Sequence, residues 1–124
     1  MATMSFGRRS DEASMNGWLG TFRAADAWVV AAWEAAAAMP PGTGELARQL
    51  RCGALDCGSA LVAAAQCGDA AENRGYLERA RSRLMEARYL LYLAKRFGSI
   101  DSRRYKMLTL KLDRALRDVS GRRA

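Results

Sequence analysis

The chain has 124 residues, a length that fits one domain with a single hydrophobic core. It contains no histidine, which excludes the commonest general base, the commonest metal ligand and every nucleophile pair that needs an imidazole. The net charge of +7 is unevenly spread: residues 1–73 hold 5 cations and 8 acids, and residues 74–124 hold 15 cations and 5 acids. The second half of the chain is therefore strongly basic.

The N-terminal residues 1–15 are polar and lack an apolar segment, so we expect a flexible segment and no secretory signal. The longest apolar stretch, residues 24–39, contains two acids and is too short to span a membrane. We therefore expect a cytoplasmic protein without membrane contact. The odd number of cysteines and their spacing favour free thiols over disulfides or a metal site. These cysteines are Cys52, Cys57 and Cys67.

The first predicted helix begins near Asn16 or Thr21 and ends at about Ala38, because a Pro-Pro-Gly run follows. Its apolar residues recur at spacings of three and four, which is typical of a helix that buries one face. Trp28 falls outside the predicted core stripe. That stripe consists of Phe22, Ala25, Val29, Ala32 and Ala36.

The second predicted helix covers about residues 43–67. Gly53 and Gly58 lie in its interior, where each glycine costs about 1 kcal/mol relative to alanine. We interpret them as places where a neighbouring backbone approaches closely, with simple tolerance in an alanine-rich helix as the alternative. The predicted core seam consists of Leu46, Leu50, Gly53, Cys57, Ala60 and Ala64.

The third predicted helix covers about residues 70–97, with Asp69 as N-cap and Gly98 as C-cap. Its seam alternates large and small residues, which lets two helices pack closely. The leucines are Leu77, Leu84 and Leu91, and the alanines are Ala80, Ala87 and Ala94.

The fourth predicted helix begins after Ser99 or Asp101 and ends at Gly121, which leaves a loose basic tail at residues 122–124. Four helices joined by short turns predict an all-α, up-down antiparallel four-helix bundle over residues 16–121. The core stripe of the last helix consists of Tyr105, Leu108, Leu112, Ala115 and Val119.

A row of cations on the third helix repeats every seven residues, so its members project from one side. Arginine suits bidentate phosphate contacts, and a strongly basic surface is typical of nucleic-acid binding. Long cationic side chains also cover apolar seams, which is the structural alternative. The candidate nucleic-acid-binding residues are the row Arg74, Arg81, Arg88 and Lys95, together with Arg96, Arg103, Arg104 and Lys111.

The stretch 89–93 is apolar on every side of the third helix, and such a helix must be covered on more than one face. We therefore predict a homo-oligomer. The alternative is a monomer in which the tyrosine hydroxyls reach water. The candidate interface residues are Trp28, Trp33, Tyr89, Leu90, Tyr92, Leu93 and Phe97.

The carboxylates are scattered and mostly have cations nearby, which is typical of solvated helix surfaces. Asp56 is the exception because it lies among small residues of the second helix. We expect it to form a structural ion pair with an arginine of the third helix, such as Arg83 or Arg88. We expect no catalytic residues, no cofactor and no metal.

Two runs of sequence resemble a known family. Residues 46–51 (LARQLR) open a helix after a proline break, and residues 83–98 (RLMEARYLLYLAKRFG) end in a glycine cap before Ile100-Asp101. With the stripe from Tyr105 to Leu116, they resemble the small four-helix-bundle proteins that include the 23S rRNA intervening-sequence proteins. The related accessory variability proteins of diversity-generating retroelements share this organisation. The resemblance covers about residues 20–120.

The resemblance implies a ring-shaped homopentamer with a basic surface. In the retroelement branch it implies an adaptor that binds a reverse transcriptase and nucleic acid. It implies no catalytic residue, since none is known for the family.

The sequence therefore predicts a non-enzymatic, oligomeric accessory or adaptor protein whose basic surface binds RNA, DNA or a ribonucleoprotein partner such as a reverse transcriptase. The first alternative is a protein-interaction scaffold without a nucleic-acid role. The second is an enzyme that uses carboxylates alone, which a deep pocket with two buried acids would support.

Overall fold

A computed structural model describes the backbone of residues 9–123 and the side chains of residues 18–122. This part of the chain is almost entirely helical and contains no strand. Its helices are α1 (Arg9–Ala37), α2 (Gly44–Gln66), α3 (Ala70–Arg96) and α4 (Ser102–Arg123), with a short 3-10 turn (Pro41–Thr43) between α1 and α2. None of these helices is long and apolar enough to cross a bilayer.

The four helices form an antiparallel bundle in which each helix packs against its neighbours in the chain and α1 packs against α4. Antiparallel pairing is visible across α2 and α3, where Asn73 donates to the Ala64 carbonyl and Arg83 reaches Asp56. It is visible again across α3 and α4, where Arg88 reaches Asp113 and Lys95 lies over the ring of Tyr105. The predicted all-helical bundle is confirmed.

Two helix boundaries differ from the prediction. Helix α1 begins at Arg9, because residues 9–15 contain neither proline nor glycine to stop it. Residues 1–8 of the segment expected to be flexible lie outside the described residues. Helix α4 continues past Gly121 to Arg123, so the predicted basic tail is helical as far as it is described.

The core face of α1 is centred on Trp28, which the sequence analysis placed outside the core and in an oligomer interface. Its side chain is only 1% exposed and belongs to the bundle core. The four positions one turn away from it on the same face are alanines, so the indole fills the space that they leave. Phe22, predicted as a core residue, is exposed instead. These alanines are Ala24, Ala25, Ala31 and Ala32, all buried.

The predicted seams of α2, α3 and α4 lie in the core, with Leu46 and Tyr105 half-buried at their edges. Neither interior glycine of α2 is explained by a close backbone approach. An added Cβ at Gly58 would lie 3.7 Å from Val29 Cγ2, and one at Gly53 would lie 3.9 Å from Glu86 Oε1. Both are ordinary van der Waals distances, so alanine fits at each position.

The predicted caps are confirmed. Asp69 Oδ1 accepts a hydrogen bond from the Ala71 amide at the start of α3, and Asp101 Oδ1 accepts one from the Arg104 amide at the start of α4. Gly98 has φ +76°, and the Ser99 amide donates to the Ala94 carbonyl at 2.8 Å. This geometry is a Schellman motif, which needs a residue that tolerates positive φ.

Candidate nucleic-acid interface

The predicted row of cations lies along the seam between α3 and α4. Arg88 Nη2 donates to Asp113 Oδ1 at 2.7 Å, and Lys95 Nζ lies 4.7 Å from the ring centroid of Tyr105. Both partners belong to α4, so the row faces that helix as well as solvent. Arg88 and Lys95 therefore help to hold α3 against α4, which is the seam-covering role considered as an alternative.

The other two members of the row differ in burial. Arg74 is exposed near the beginning of α3. Arg81 is half-buried, and its Nε atom is buried without a hydrogen-bond partner within the described residues. A buried donor without a partner is costly, and this Nε atom is not accessible to a ligand. The four cations therefore follow one helix, α3, but they are not equally available to a ligand.

A second group of cations surrounds the turn between α3 and α4, and we call it the basic turn. Asp101 is the acidic residue in this stretch, and its carboxylate is already bonded to the Arg104 amide. Arg96 makes a long contact of 3.4 Å with the Tyr92 hydroxyl, while Arg103 and Lys106 are exposed. The basic turn consists of Lys95, Arg96, Arg103, Arg104 and Lys106.

Arg103 and Arg104 occupy the first turn of α4, which contains no acidic residue. The positive end of the helix dipole disfavours cations there by a few tenths of a kcal/mol each. Helix stability therefore does not explain these two arginines. Asp101 caps the Arg104 amide, and the remaining free amides of this helix N-terminus attract anions, to which the nearby guanidinium groups add.

Lys111, the remaining candidate, lies away from the basic turn. It is half-buried on the side of α4 that faces α1 and lines a groove between these two helices. The structure therefore places the eight candidate residues in the α3/α4 row, in the basic turn, which shares Lys95 with that row, and in this separate position.

The predicted ion pair of Asp56 is confirmed with Arg83, and Arg79 joins it. Asp56 Oδ1 and Oδ2 accept from Arg79 at 2.7 and 2.8 Å, and Oδ2 also accepts from Arg83 Nε at 2.7 Å. Hydrogen bonding from Arg79, followed by that from Arg83, outweighs partial burial and lowers the pKa of Asp56 to about 2. Arg88, the other partner proposed from the sequence, pairs with Asp113.

The candidate interface residues of α3 form an exposed aromatic patch. The rings of Tyr89 and Tyr92 stack with their centroids 6.5 Å apart, and Phe97 is 63% exposed. Leu90 and Leu93 are half-buried, and Leu90 packs against the core. The apolar excess predicted at residues 89–93 is therefore presented to solvent mainly by aromatic rings.

A second apolar patch lies on the opposite, less basic side of the bundle, between α1 and α2. Trp33 is exposed, with the Arg51 guanidinium carbon 5.7 Å from its ring centroid. Phe22, Leu55 and Val62 are also exposed and line a shallow cavity of about 220 Å³. Sequence analysis missed Leu55 and Val62, although both lie off the seam of α2 at helical spacing.

The cysteines are free thiols, as predicted. Burial, followed by the charge of Asp56, raises the pKa of the Cys57 thiol to about 12, so this thiol is unreactive. Within the described residues no group of three acidic or cysteine side chains could hold a metal ion.

The α1/α4 groove has a volume of about 490 Å³. Its most exposed large apolar side chain is Leu110, which is 66% exposed and was not predicted as a surface residue. The sequence does indicate this exposure, because helical spacing places Leu110 about 200° around α4 from both Leu108 and Leu112 of the core stripe. The groove is lined by Ala24 and Ala27 of α1 and by Met107, Leu110, Lys111, Asp113, Arg114 and Arg117 of α4.

Comparisons of the chain with protein-family models, with curated proteins and with solved structures gave no significant match. The resemblance to the intervening-sequence and accessory variability proteins therefore remains a prediction that depends on the residues described above.

Proposed function

We propose that this protein is a non-enzymatic accessory or adaptor protein of the cytoplasm whose basic turn binds nucleic acid or a ribonucleoprotein, such as a complex with a reverse transcriptase. The observation that carries the proposal is the separation of charge between the two halves of the bundle. Helices α1 and α2 hold 4 cations and 6 acids, whereas α3 and α4 hold 15 cations and 5 acids. A surface of this kind attracts polyanions.

The local chemistry supports contacts with phosphate. Arginines predominate in the basic turn, and Arg103 and Arg104 lie where the dipole of α4 also favours an anion. We expect the contacts to be directed to the nucleic-acid backbone, since base-specific readout needs side chains presented to base edges by a dedicated element. Sequence preference should then be weak.

We also propose that the protein acts as a homo-oligomer. The aromatic patch of α3 and the apolar patch between α1 and α2 lie on different sides of the bundle. Contact between two different patches is head-to-tail, and repeating it closes a ring when the rotation allows. The resemblance described above favours five copies in that ring.

The alternative is a protein-interaction scaffold without a nucleic-acid role, which the two exposed apolar patches favour. Binding of random-sequence single-stranded RNA at increasing salt concentration separates the two functions. A nucleic-acid-binding protein loses affinity in proportion to the number of phosphates that it neutralises. Binding that is absent, or that does not change with salt, would instead support the scaffold.

A further inference from the structure

The α1/α4 groove combines an apolar strip with a cationic rim. Met107 and Leu110 are exposed beside Ala27, and no described acid other than Asp113 lines the groove. The outer face of a bundle helix is normally polar, whereas Leu110 is the most exposed of the large apolar side chains described and lies beside Met107 and Ala27. Such a surface suits a ligand that also carries apolar side chains.

The cations of this groove are available to a ligand. Lys111, Arg114 and Arg117 make no ion pair or side-chain hydrogen bond within the described residues. The carboxylate of Asp113 is bound by Arg88, which weakens its ability to neutralise them. The described lining of the groove therefore has three cations against one acid, a net positive charge next to its apolar strip.

We propose that the α1/α4 groove binds an acidic amphipathic helix of a partner protein. The groove extends along α4 from Met107 to Arg117, which is about 15 Å at 1.5 Å per residue and matches nearly three turns of a bound helix. The apolar side chains of that helix would lie on Ala27 and Leu110, and its carboxylates would reach Arg114 and Arg117. This is helix-in-groove recognition with complementary charge.

Nucleic acid fits this groove less well than a helix does. No aromatic side chain among the described residues lines it, so bases have nothing to stack on there. A phosphate backbone would also leave Leu110 without an apolar partner. The groove is distinct from both apolar patches, and its first residue, Met107, lies one turn of α4 after Arg103 of the basic turn. The proposal therefore goes beyond nucleic-acid binding and does not depend on it.

The test uses the full chain and a synthetic 18-residue peptide that presents leucines at helical spacing between glutamates. A scrambled peptide of the same composition is the control ligand. We measure fluorescence anisotropy with Arg114→Glu/Arg117→Glu, with Leu110→Ser, and with Arg48→Glu/Arg51→Glu as a matched charge control on α2, which does not contact α4. Circular dichroism verifies that each variant is folded.

We expect each groove variant to weaken peptide binding by about tenfold or more, as for a central contact of an interface. The charge control should change it by less than about twofold, since charges beyond a Debye length are screened. The scrambled peptide should bind at least about tenfold more weakly than the helical one, because it cannot align its leucines on one face.

Three results would overturn the proposal. Equal binding of the helical and scrambled peptides would show that only charge matters. A change in assembly mass in Leu110→Ser would assign the groove to a second copy of the chain. Loss of RNA binding in Arg114→Glu/Arg117→Glu, with peptide binding intact, would assign it to nucleic acid. If the wild-type protein does not bind RNA, the proposed nucleic-acid function is contradicted, but the proposal that the groove binds an acidic helix is unaffected.

Discussion

Asp56 of α2 is held by Arg79 of α3 through two hydrogen bonds of 2.7 and 2.8 Å, one to each carboxylate oxygen. The two side chains are 23 residues apart in the sequence, and Arg83 adds a third bond from the next turn of α3. Because the Asp56 side chain is only 20% exposed, this contact is less screened than an ordinary surface pair. It fixes the register of α3 against α2.

Replacing Asp56 with asparagine should lower the free energy of unfolding by about 2 kcal/mol at neutral pH, the equivalent of a pKa lowered from its ordinary 3.8 to about 2. The lowered pKa means that the contribution is complete above pH 4 and is lost as the pH falls towards 2. Urea denaturation of both proteins between pH 7 and pH 2 measures this difference.

The matched control is Asp113→Asn, which removes the carboxylate partner of Arg88. The Asp113 side chain is 42% exposed against 20% for Asp56 and has one arginine partner instead of two, so its loss should cost less than about 1 kcal/mol. If the two variants lose the same free energy of unfolding, Asp56 contributes no more to stability than a surface carboxylate does.

Gly58→Ala should stabilise the protein by about 1 kcal/mol, because alanine has the higher helix propensity and its Cβ meets Val29 at an ordinary contact distance. Gly98→Ala should act in the opposite direction by a similar amount, since φ at this position is +76°. Thermal unfolding shows whether each variant is more or less stable than the wild-type protein. Destabilisation by Gly58→Ala would restore the interpretation that α2 needs a close approach there.

Arg103→Glu should stabilise the isolated protein slightly, by about 0.5 kcal/mol, while it weakens RNA binding. The glutamate would lie in the first turn of α4, where the helix dipole favours an anion. Urea denaturation at low ionic strength measures the first effect. A loss of stability would mean that Arg103 has a structural role and would remove it from the proposed binding surface.

Tyr89→Ser combined with Phe97→Ser should reduce the mass of the assembly in light scattering, because both rings are exposed in the aromatic patch of α3. Leu90 is less suitable for this test because it packs against the core. Leu110→Ser, which removes an apolar side chain from another surface, should leave the mass unchanged. A wild-type mass equal to that of a single chain would contradict the proposed oligomer.

Helical spacing was sufficient to predict three of the four core faces. The alternation of Leu77 and Leu84 with Ala80 and Ala87 leaves only one side of α3 that can be buried. In α1 nearly every face is apolar, so spacing alone did not decide between Phe22 and Trp28. Trp28 is buried because the small alanines around it leave space for its indole against the neighbouring helices. That space exists only in the packed bundle and cannot be seen from spacing along α1.

The candidate site was less predictable than the fold. A spacing of seven residues identifies which cations share a side of α3, but it does not show that Asp113 and Tyr105 of α4 lie against that side. The basic turn was present in the sequence as a local density of arginine and lysine. Which cations lack carboxylate partners depends on contacts between helices, and the sequence does not contain these directly.

The most direct test of nucleic-acid binding compares salt dependences for random-sequence single-stranded RNA. The variants are Arg96→Glu/Arg103→Glu in the basic turn and Arg23→Glu/Arg48→Glu on α1 and α2, which change the net charge equally. We predict that the first pair makes the slope of log K against log salt shallower by about 1.4, since each lost phosphate contact contributes about 0.7. The second pair should leave the slope unchanged. A wild-type slope near zero, or equal effects of the two pairs, would contradict the proposal.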